Sequence, residues 1–286
     1  MLVIEHIREM QDFRLFLSSS RKRIAFVPTM GFLHDGHLSL IREARRLAER
    51  VVVSIFVNPL QFGPREDLER YPRDLAGDKD KCRLAGADLV FIPQAGEIAG
   101  ELLRSYVIMD EVMDRYCGAS RPGHFRGVAT IVLKLVNLVR PDYLLLGAKD
   151  YQQSVILRKL VSDFFIPLQV VVMPTIREKD GLAMSSRNSY LNPDERAAAS
   201  VLFRSLLKGG EAYLKGERQV SLLKAAILSE LEKEKGVRLE YLELVAGDTL
   251  RPVDTAAPGT MALLAVWIGR TRLIDNHSFS GGPETK

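Results

Sequence analysis

The chain has only 2 cysteines and 5 histidines in 286 residues, and almost no excess of charge of either sign, with 40 basic against 36 acidic side chains. Each scarcity excludes something. Cys82 and Cys117 stand isolated, with nothing to motivate them as a pair, so both thiols are expected to be inert and a reducing cytoplasm is the simplest compartment. A membrane span needs roughly 18 apolar residues in a row. No run approaches that, residues 261–268 being among the longest, so no membrane association is expected. Residues 1–9 carry acid where a secretory signal needs a basic stretch and then an apolar one, which predicts no signal peptide. A formal charge of +4 suits small anionic substrates, and with a pI of about 9.0 is too mild and too dispersed to indicate nucleic acid. No internal repeat or low-complexity tract occurs. What remains is the composition of a soluble globular protein, 47% hydrophobic and 27% charged, long enough for one large domain or two of ordinary size.

The few histidines are concentrated. Two of the 5 fall within residues 28–40, Pro-Thr-Met-Gly-Phe-Leu-His-Asp-Gly-His-Leu-Ser-Leu. Upstream, residues 24–27 form a continuous apolar run ended by Pro28, as expected of a strand buried on both faces. Downstream, Leu38, Ile41, Ala44, Leu47 and Ala48 recur at helical spacing among arginines. The loop therefore feeds a helix N-terminus, whose N–H groups and positive dipole end attract anions. Gly31 and Gly36 let the backbone approach a ligand closely or take positive φ. His34 and His37, three apart, can point the same way if the first turn begins nearby. The glycine spacing matches a phosphate loop, but His37 stands where that motif has lysine, and Leu38 where a hydroxyl would hold Mg²⁺. A nucleotide bound here needs its metal held elsewhere. A glycine-rich turn with two surface histidines explains either feature singly and leaves their coincidence unexplained. Zinc is disfavoured, because no Glu or third ligand accompanies the two histidines at a metal-site spacing.

Strand-like runs at 51–57, 87–92, 143–146 and 168–173 alternate with helical patterns at 75–84, 127–139 and 151–164. This alternation predicts an α/β fold with a Rossmann-like parallel sheet and helices on both faces. Ligands in such sheets bind outside the carboxyl ends of the strands. The polar special residues all follow strand ends: His34 and His37, Asn58 and Gln61, Lys149, Asp150 and Gln153, and the stretch 176–187. From Asn192 the pattern changes, with a capped helix start at Asn192 and Pro193. Helices near 194–214 and 219–234 and strand-like segments at 238–244, 261–268 and 271–274 follow. We read residues 1–175 as the sheet domain and residues 176–286 as a smaller C-terminal α+β domain, with 279–286 a loose tail.

Other clusters carry chemistry less sharply. Asn58 is adequately explained as the cap of a turn. Gln61, an uncharged donor and acceptor beside a phosphate site, suits a carboxylate or hydroxyl substrate. Lys149 shares a helix face with Gln153, as does Asp150, and lysine at a helix N-terminus is disfavoured unless an anion compensates. Ser185, Ser186 and Arg187 suit phosphate oxygens, and a domain linker explains them equally well. Asp78 is a candidate Mg²⁺ ligand, or an ordinary surface aspartate. His124 with Arg121 and Arg126 either lines an anion pocket or is a basic loop.

His34-Asp35-Gly36-His37, with Pro28 to Gly31 before it, resembles the His-x-Gly-His motif of the nucleotidyltransferase superfamily that shares its fold with class I aminoacyl-tRNA synthetases. The wider set is more specific. Phe56-Val57-Asn58-Pro59-Leu60-Gln61-Phe62, Tyr71-Pro72-Arg73, Arg121-Pro122-Gly123-His124-Phe125-Arg126-Gly127, Gly147 with Lys149, Asp150 and Gln152, and Ser185-Ser186-Arg187-Asn188 together resemble the pantothenate synthetase family. The resemblance is dense over residues 28–188, and the C-terminal third is similar in size and pattern only.

The resemblance implies that ATP and pantoate give pantoyl adenylate and pyrophosphate, and that β-alanine then displaces AMP to give pantothenate. By the family's pattern Met30, Gly31, Phe32, Leu33, His34, Asp35, Gly36 and His37 contact ATP, His34 and His37 near its phosphates, with His37 as proton donor. Gly147, Ala148, Lys149, Asp150, Ile176, Met184, Ser185, Ser186 and Arg187 complete the nucleotide site. Lys149 is implied to stabilise the pentacovalent charge, while Ser185, Ser186 and Arg187 and the C-terminal domain close over the phosphates. Gln61 and Gln153 carry over as pantoate ligands, Gln61 also meeting β-alanine, and Asp78 as the Mg²⁺ ligand. The chain departs from the pattern at Ala148, where the family commonly has Glu or Gln; that position contributes backbone. A homodimer is implied by the family alone. Two other readings compete: a transferase of the superfamily acting on a phosphorylated substrate, and a nucleotide-binding regulator without turnover. The neutral amides of Gln61 and Gln153 disfavour the first, and the intact set His34, His37, Lys149 and Arg187 disfavours the second.

Overall fold

The structure is a computed structural model that describes residues 1–18 and 22–280. The chain divides into two compact units, one comprising Met1–Ala148 and Ile156–Pro174, the other Lys149–Val155 and the chain from Thr175 onward. Among the described residues no helix is long and apolar enough to cross a membrane.

In order, the first unit holds β1 (Leu2–Ile4), α1 (Ile7–Ser18), β2 (Ile24–Thr29), α2 (Asp35–Leu47), β3 (Arg50–Ile55), α3 (Leu75–Ala85), β4 (Leu89–Phe91), α4 (Ala95–Ala99), α5 (Cys117–Ser120), α6 (His124–Val139) and β5 (Tyr143–Gly147). Helix α7 (Tyr151–Asp163) and β6 (Gln169–Met173) follow. Six strands form one parallel sheet in the order β1-β4-β3-β2-β5-β6. The strand runs are apolar throughout because both faces are covered. Ile24, Phe26, Val52, Leu89, Phe91, Leu144 and Leu146 bury one face with α1 and α6 residues such as Met10, Leu17, Val128 and Leu135. Ala25, Val27, Val51, Val53, Val90 and Leu145 bury the other with Leu40, Ile41 and Ala44 of α2 and Cys82 and Ala85 of α3. The alternation along each strand is the two-residue period of the pleat.

The parallel α/β architecture expected from the sequence is therefore present, with elements the alternation did not disclose, among them β1, α1 and the short helices α4 and α5. Strand β1 pairs with β4, Leu2 opposite Leu89, and α1 packs Met10 and Leu17 into the first core. From β2 the order runs outward through β3 and β4, then returns to β5 on the other side of β2. The sense in which successive strands are added thus reverses between β2 and β5, the place where open α/β sheets form a crevice at the strands' carboxyl ends.

The second unit contains α8 (Pro193–Ala199), α9 (Val201–Leu214), α10 (Val220–Leu231), and the antiparallel sheet β7 (Val237–Ala246), β8 (Thr260–Ile268) and β9 (Thr271–Phe279) in that order. Leu202, Leu206 and Tyr213 of α9 and Leu223 and Ile227 of α10 share a core with Leu242, Leu264, Val266 and Phe279 of the sheet. The smaller α+β organisation is as expected, with a helix break: the 194–214 helix is interrupted at Ser200, whose hydroxyl donates to the Ala197 carbonyl at 3.0 Å. Strand β9 runs on to Phe279, beyond the expected 271–274, and 281–286 of the expected tail lie outside the described residues.

Candidate functional site

The loop after β2 is built to present a helix end. Thr29 donates its hydroxyl to the Ser54 carbonyl at 2.7 Å and receives the Gly31 N–H at 3.3 Å, fixing the strand exit. The backbone then takes positive φ twice in succession, +84° at Gly31 and +51° at Phe32. A Cβ on Gly31 would come within 3.0 Å of both Asp78 and Ile55, so the residue needs glycine for space as well as for φ. His34 is the N-cap of α2, and Asp35 opens the first turn, where its carboxylate complements the helix dipole. Leu40, Ile41 and Ala44 bury the opposite face.

The two histidines are brought together. The His34 N–H donates to Nδ1 of His37 at 3.3 Å, the His37 N–H donates back to the His34 carbonyl at 2.8 Å, and the ring centroids are 4.0 Å apart. The expectation that His34 and His37 lie on one turn holds because α2 begins at Asp35, three residues before the first apolar periodic position.

Asp78 sits in the first turn of α3, 1% exposed. Its two carboxylate oxygens accept the N–H groups of Phe32 and Leu33, each at 2.7 Å. Burial pushes its carboxyl pKa up, opposed by those two bonds and by Lys81. A carboxylate closed from solvent, with both oxygens given to the main chain, does not fit the Mg²⁺ ligand expected of it. Among the described residues no cluster of three or more His, Cys, Asp or Glu is placed to hold a metal.

Gln61 closes the 3₁₀ turn Pro59–Gln61 that follows β3. Asn58, 3% exposed, accepts the Leu60 N–H at 3.1 Å and donates from Nδ2 to both Gln61 Oε1 and the Gly127 carbonyl, at 3.1 Å each. Gln61 Nε2 then faces Met30 Sδ at 3.1 Å. Met30, expected to contact ATP, and Gln61, expected to contact pantoate, touch one another. Below them, His124 Nδ1 lies 2.8 Å from the Gln61 carbonyl, Arg121 Nη2 donates to the same oxygen at 3.2 Å, and Arg121 is held by Glu66 through Nε and Nη2 at 2.9 and 2.5 Å. The anion-pocket reading of Arg121 and His124 gives way to a supporting bracket for the Gln61 turn. Gly127 is required here, since a Cβ would collide with the Leu60 carbonyl.

Gly147 ends β5 and Ala148 opens the 3₁₀ turn Ala148–Asp150, both in the first unit; Lys149, Asp150 and Gln153 belong to the second. Lys149 Nζ lies 3.8 Å from Asp150, and its main-chain carbonyl accepts Asn276 Nδ2 at 2.9 Å. Asn276 is in turn tied through its N–H to Asp275, which takes a two-pronged bond from Arg177 at 2.6 and 3.0 Å while Arg177 stacks on Phe203, 3.7 Å from the ring centre. Gln153 is half-buried in the first turn of α7. The Met184 N–H donates to the Ile176 carbonyl at 3.0 Å, so these two expected nucleotide contacts are paired. Ser185 caps a 3₁₀ turn over Ser186–Tyr190 by accepting the Arg187 N–H at 3.3 Å. Asn188 fastens that turn to Glu178 at 3.0 Å and to the Ala183 carbonyl at 3.2 Å, and Arg196 grips Glu178 and Asp180 at 2.6 Å each. The Arg196 bond holds the Asp180 carboxyl below its ordinary range. Sequence reasoning missed Asn276, Asp275 and Lys81, for which no local pattern exists, and undervalued Asn58.

Comparison with known proteins gives these residues a context. The family model described as Pantoate-beta-alanine ligase matches residues 2–278. The pantothenate synthetase of Myxococcus xanthus is 50% identical over 283 residues, covering 98% of this chain and 96% of its own, and that of Syntrophus aciditrophicus is 46% identical over 279 residues, covering 98% of each. The crystal structure of pantothenate synthetase from Thermus thermophilus superposes with a TM-score of 0.93 at 42% identity, covering 98% of this chain and all 100% of that one. A pantoate-beta-alanine ligase from Francisella tularensis, complexed with Beta-gamma ATP and Beta-alanine, superposes with a TM-score of 0.82 at 34% identity, covering 99% and 100%.

Proposed function

The chain belongs to the pantoate–β-alanine ligase family, and from that membership we propose that it couples pantoate to β-alanine through a pantoyl-adenylate intermediate, releasing pyrophosphate and then AMP. A free carboxylate is a poor acyl donor. Its oxygen attacks the α-phosphorus of ATP, the bond to the pyrophosphate oxygen breaks, and the resulting mixed anhydride has AMP as a good leaving group. The β-alanine amine then attacks the acyl carbon, and the anhydride C–O bond breaks as the amine loses a proton. The first step needs the triphosphate charge neutralised, and both need the reacting atoms held in place.

The observation that carries this reading is the His34–His37 pair at the start of α2. Because His37 Nδ1 receives the His34 N–H, a neutral His37 has its proton on Nε2, a donor for a phosphate oxygen beside the N–H groups of the helix end. Lys149 is assigned to the charge that builds on the α-phosphate, and Ser185, Ser186 and Arg187 to phosphate oxygens. Gln61 and Gln153 are assigned to the pantoate hydroxyl and carboxylate, Gln61 also to β-alanine; the Asn58 bond to Gln61 Oε1 supports a fixed amide for that task. Gly147, Ala148, Asp150, Ile176 and Met184 complete the nucleotide contacts. Mg²⁺ enters as part of the MgATP substrate, with Asp78 not among its ligands. We place the enzyme in the cytoplasm as a homodimer, which sedimentation at micromolar concentration checks.

The deciding experiment is exchange of labelled pyrophosphate into ATP with pantoate as the only added acid. Pantoate-dependent exchange is expected; exchange indifferent to pantoate, or promoted only by a phosphorylated substrate, overturns the assignment.

A further inference from the structure

Asp78 and Lys81 stand one turn apart on α3 and hold the same short segment of the histidine loop, one through its N–H groups and the other through a carbonyl. Asp78 takes the N–H groups of Phe32 and Leu33 at 2.7 Å each, and Lys81 Nζ donates to the Leu33 carbonyl at 2.9 Å. The segment they hold begins at the second of two successive positive-φ residues, Gly31 and Phe32, and Phe32, not being glycine, takes φ +51° only where its surroundings impose it. The next residue is His34, the N-cap of α2, whose own N–H then addresses His37. An isolated carboxylate in the interior is costly, and one retained at 1% exposure is retained for what it binds. What it binds is main chain.

We propose that Asp78 and Lys81 are positioning residues: together they lock the Phe32–Leu33 segment in its left-handed turn and so aim His34 and His37 at the phosphates. The metal role expected of Asp78 from the sequence is thereby replaced. The loop fixes the approach of the chain to the helix end, and a shift of about 1 Å in an aligned group costs on the order of 10²-fold in rate. This inference rests on the adenylation reading for its functional half only, because the lock itself is measurable without substrate.

The test joins amide hydrogen exchange at Phe32 and Leu33 with single-turnover adenylation. In Asp78→Asn, one acceptor oxygen is replaced by a donor, so at least one of the two amides should exchange about 10-fold or more faster, and adenylation should slow on the order of 10²-fold. The KM for pantoate should move less than about threefold, since the groups that bind it are untouched. Lys81→Met should lower adenylation on the order of 10-fold, and Lys81→Arg, which still donates to the Leu33 carbonyl, should recover most of it. If Asp78→Asn does not fold, the Lys81 pair of variants decides. Unchanged protection at both amides overturns the lock. Faster exchange with adenylation within about twofold of the parent overturns the positioning role. Full recovery of Asp78→Asn by raised Mg²⁺ restores the metal reading and overturns ours. A parent protein that does not adenylate pantoate defeats the functional reading alone, and the amide measurement still judges the lock.

Discussion

The main-chain N–H of His34 donates to Nδ1 of His37, a bond from the cap residue of a helix to the ring three positions along it. It settles which ring nitrogen carries the proton in the neutral form, namely Nε2. His37→Ala should therefore slow adenylation by about 10² to 10⁴ while the thermal midpoint stays close to the parent value. Single-turnover formation of the adenylate is the measurement; an unchanged rate removes His37 from the mechanism.

Asn58 gives both protons of its Nδ2 away, one to the half-buried Gln61 Oε1 and one to the buried Gly127 carbonyl. Asn58→Asp keeps the shape and turns those contacts into oxygen against oxygen. We expect a loss of about 1–3 kcal/mol in urea denaturation and a rise in the KM for pantoate, because Gln61 loses its anchor. A stable variant with parental KM would show that Gln61 is oriented by something else.

Arg177→Met leaves the Asp275 carboxylate, 1% exposed, without its charge partner. Stranding one half of a buried pair costs about 3–5 kcal/mol. Since Asp275 also holds Asn276 against the Lys149 carbonyl, adenylation should slow as well. A denaturation midpoint shift corresponding to less than about 1 kcal/mol would contradict this, as it would mean the carboxylate is easily rehydrated.

The Arg196 bond depresses the Asp180 carboxyl below its ordinary value of 3.8. The folded state therefore holds that proton less tightly than the unfolded one. The associated stability is complete above the unfolded value and is lost as pH falls through the lower folded value. Arg196→Gln should be less stable than the parent near neutrality, and the gap should narrow below about pH 4. Parallel stability curves for the two proteins down to about pH 2.5 would refute the pairing.

Desolvation pushes the Cys82 thiol up to about 12. It should resist alkylation in the native protein at about pH 8 and react only on unfolding, because the thiolate is the nucleophile. The unfolded thiol, near 9.0, loses its proton first, so this group weakens the fold as pH rises from about 9 towards 12. Rapid native labelling at Cys82 would place it in a different environment.

The parallel sheet was legible because 24–27 and 143–146 are apolar without interruption, the mark of strands covered on both faces. Helix α1 was harder: Ile7, Met10, Phe13 and Leu17 have helical spacing, but the exposed Leu15 and Phe16 blur the stripe. The His34–His37 turn was legible because its partners are local. Asp78 was not, because its partners lie 45 and 46 residues away and α3 offers only an acid in a first turn, which reads as surface or metal ligand. Asn276 lies 127 residues from the carbonyl it serves, and nothing in its neighbourhood announces that.

That last separation bears on when the protein becomes competent during its own synthesis. Chains emerge from the ribosome N-terminus first. The Lys149 turn is made well before β9, the last strand among the described residues, so its carbonyl acquires the Asn276 partner only after β9 has left the exit tunnel. A nascent chain stalled before residue 276 would carry every side chain assigned to the nucleotide and still lack the bond that steadies the lysine segment. Loss of β9 by truncation would therefore also remove the side chain that bonds the Lys149 carbonyl.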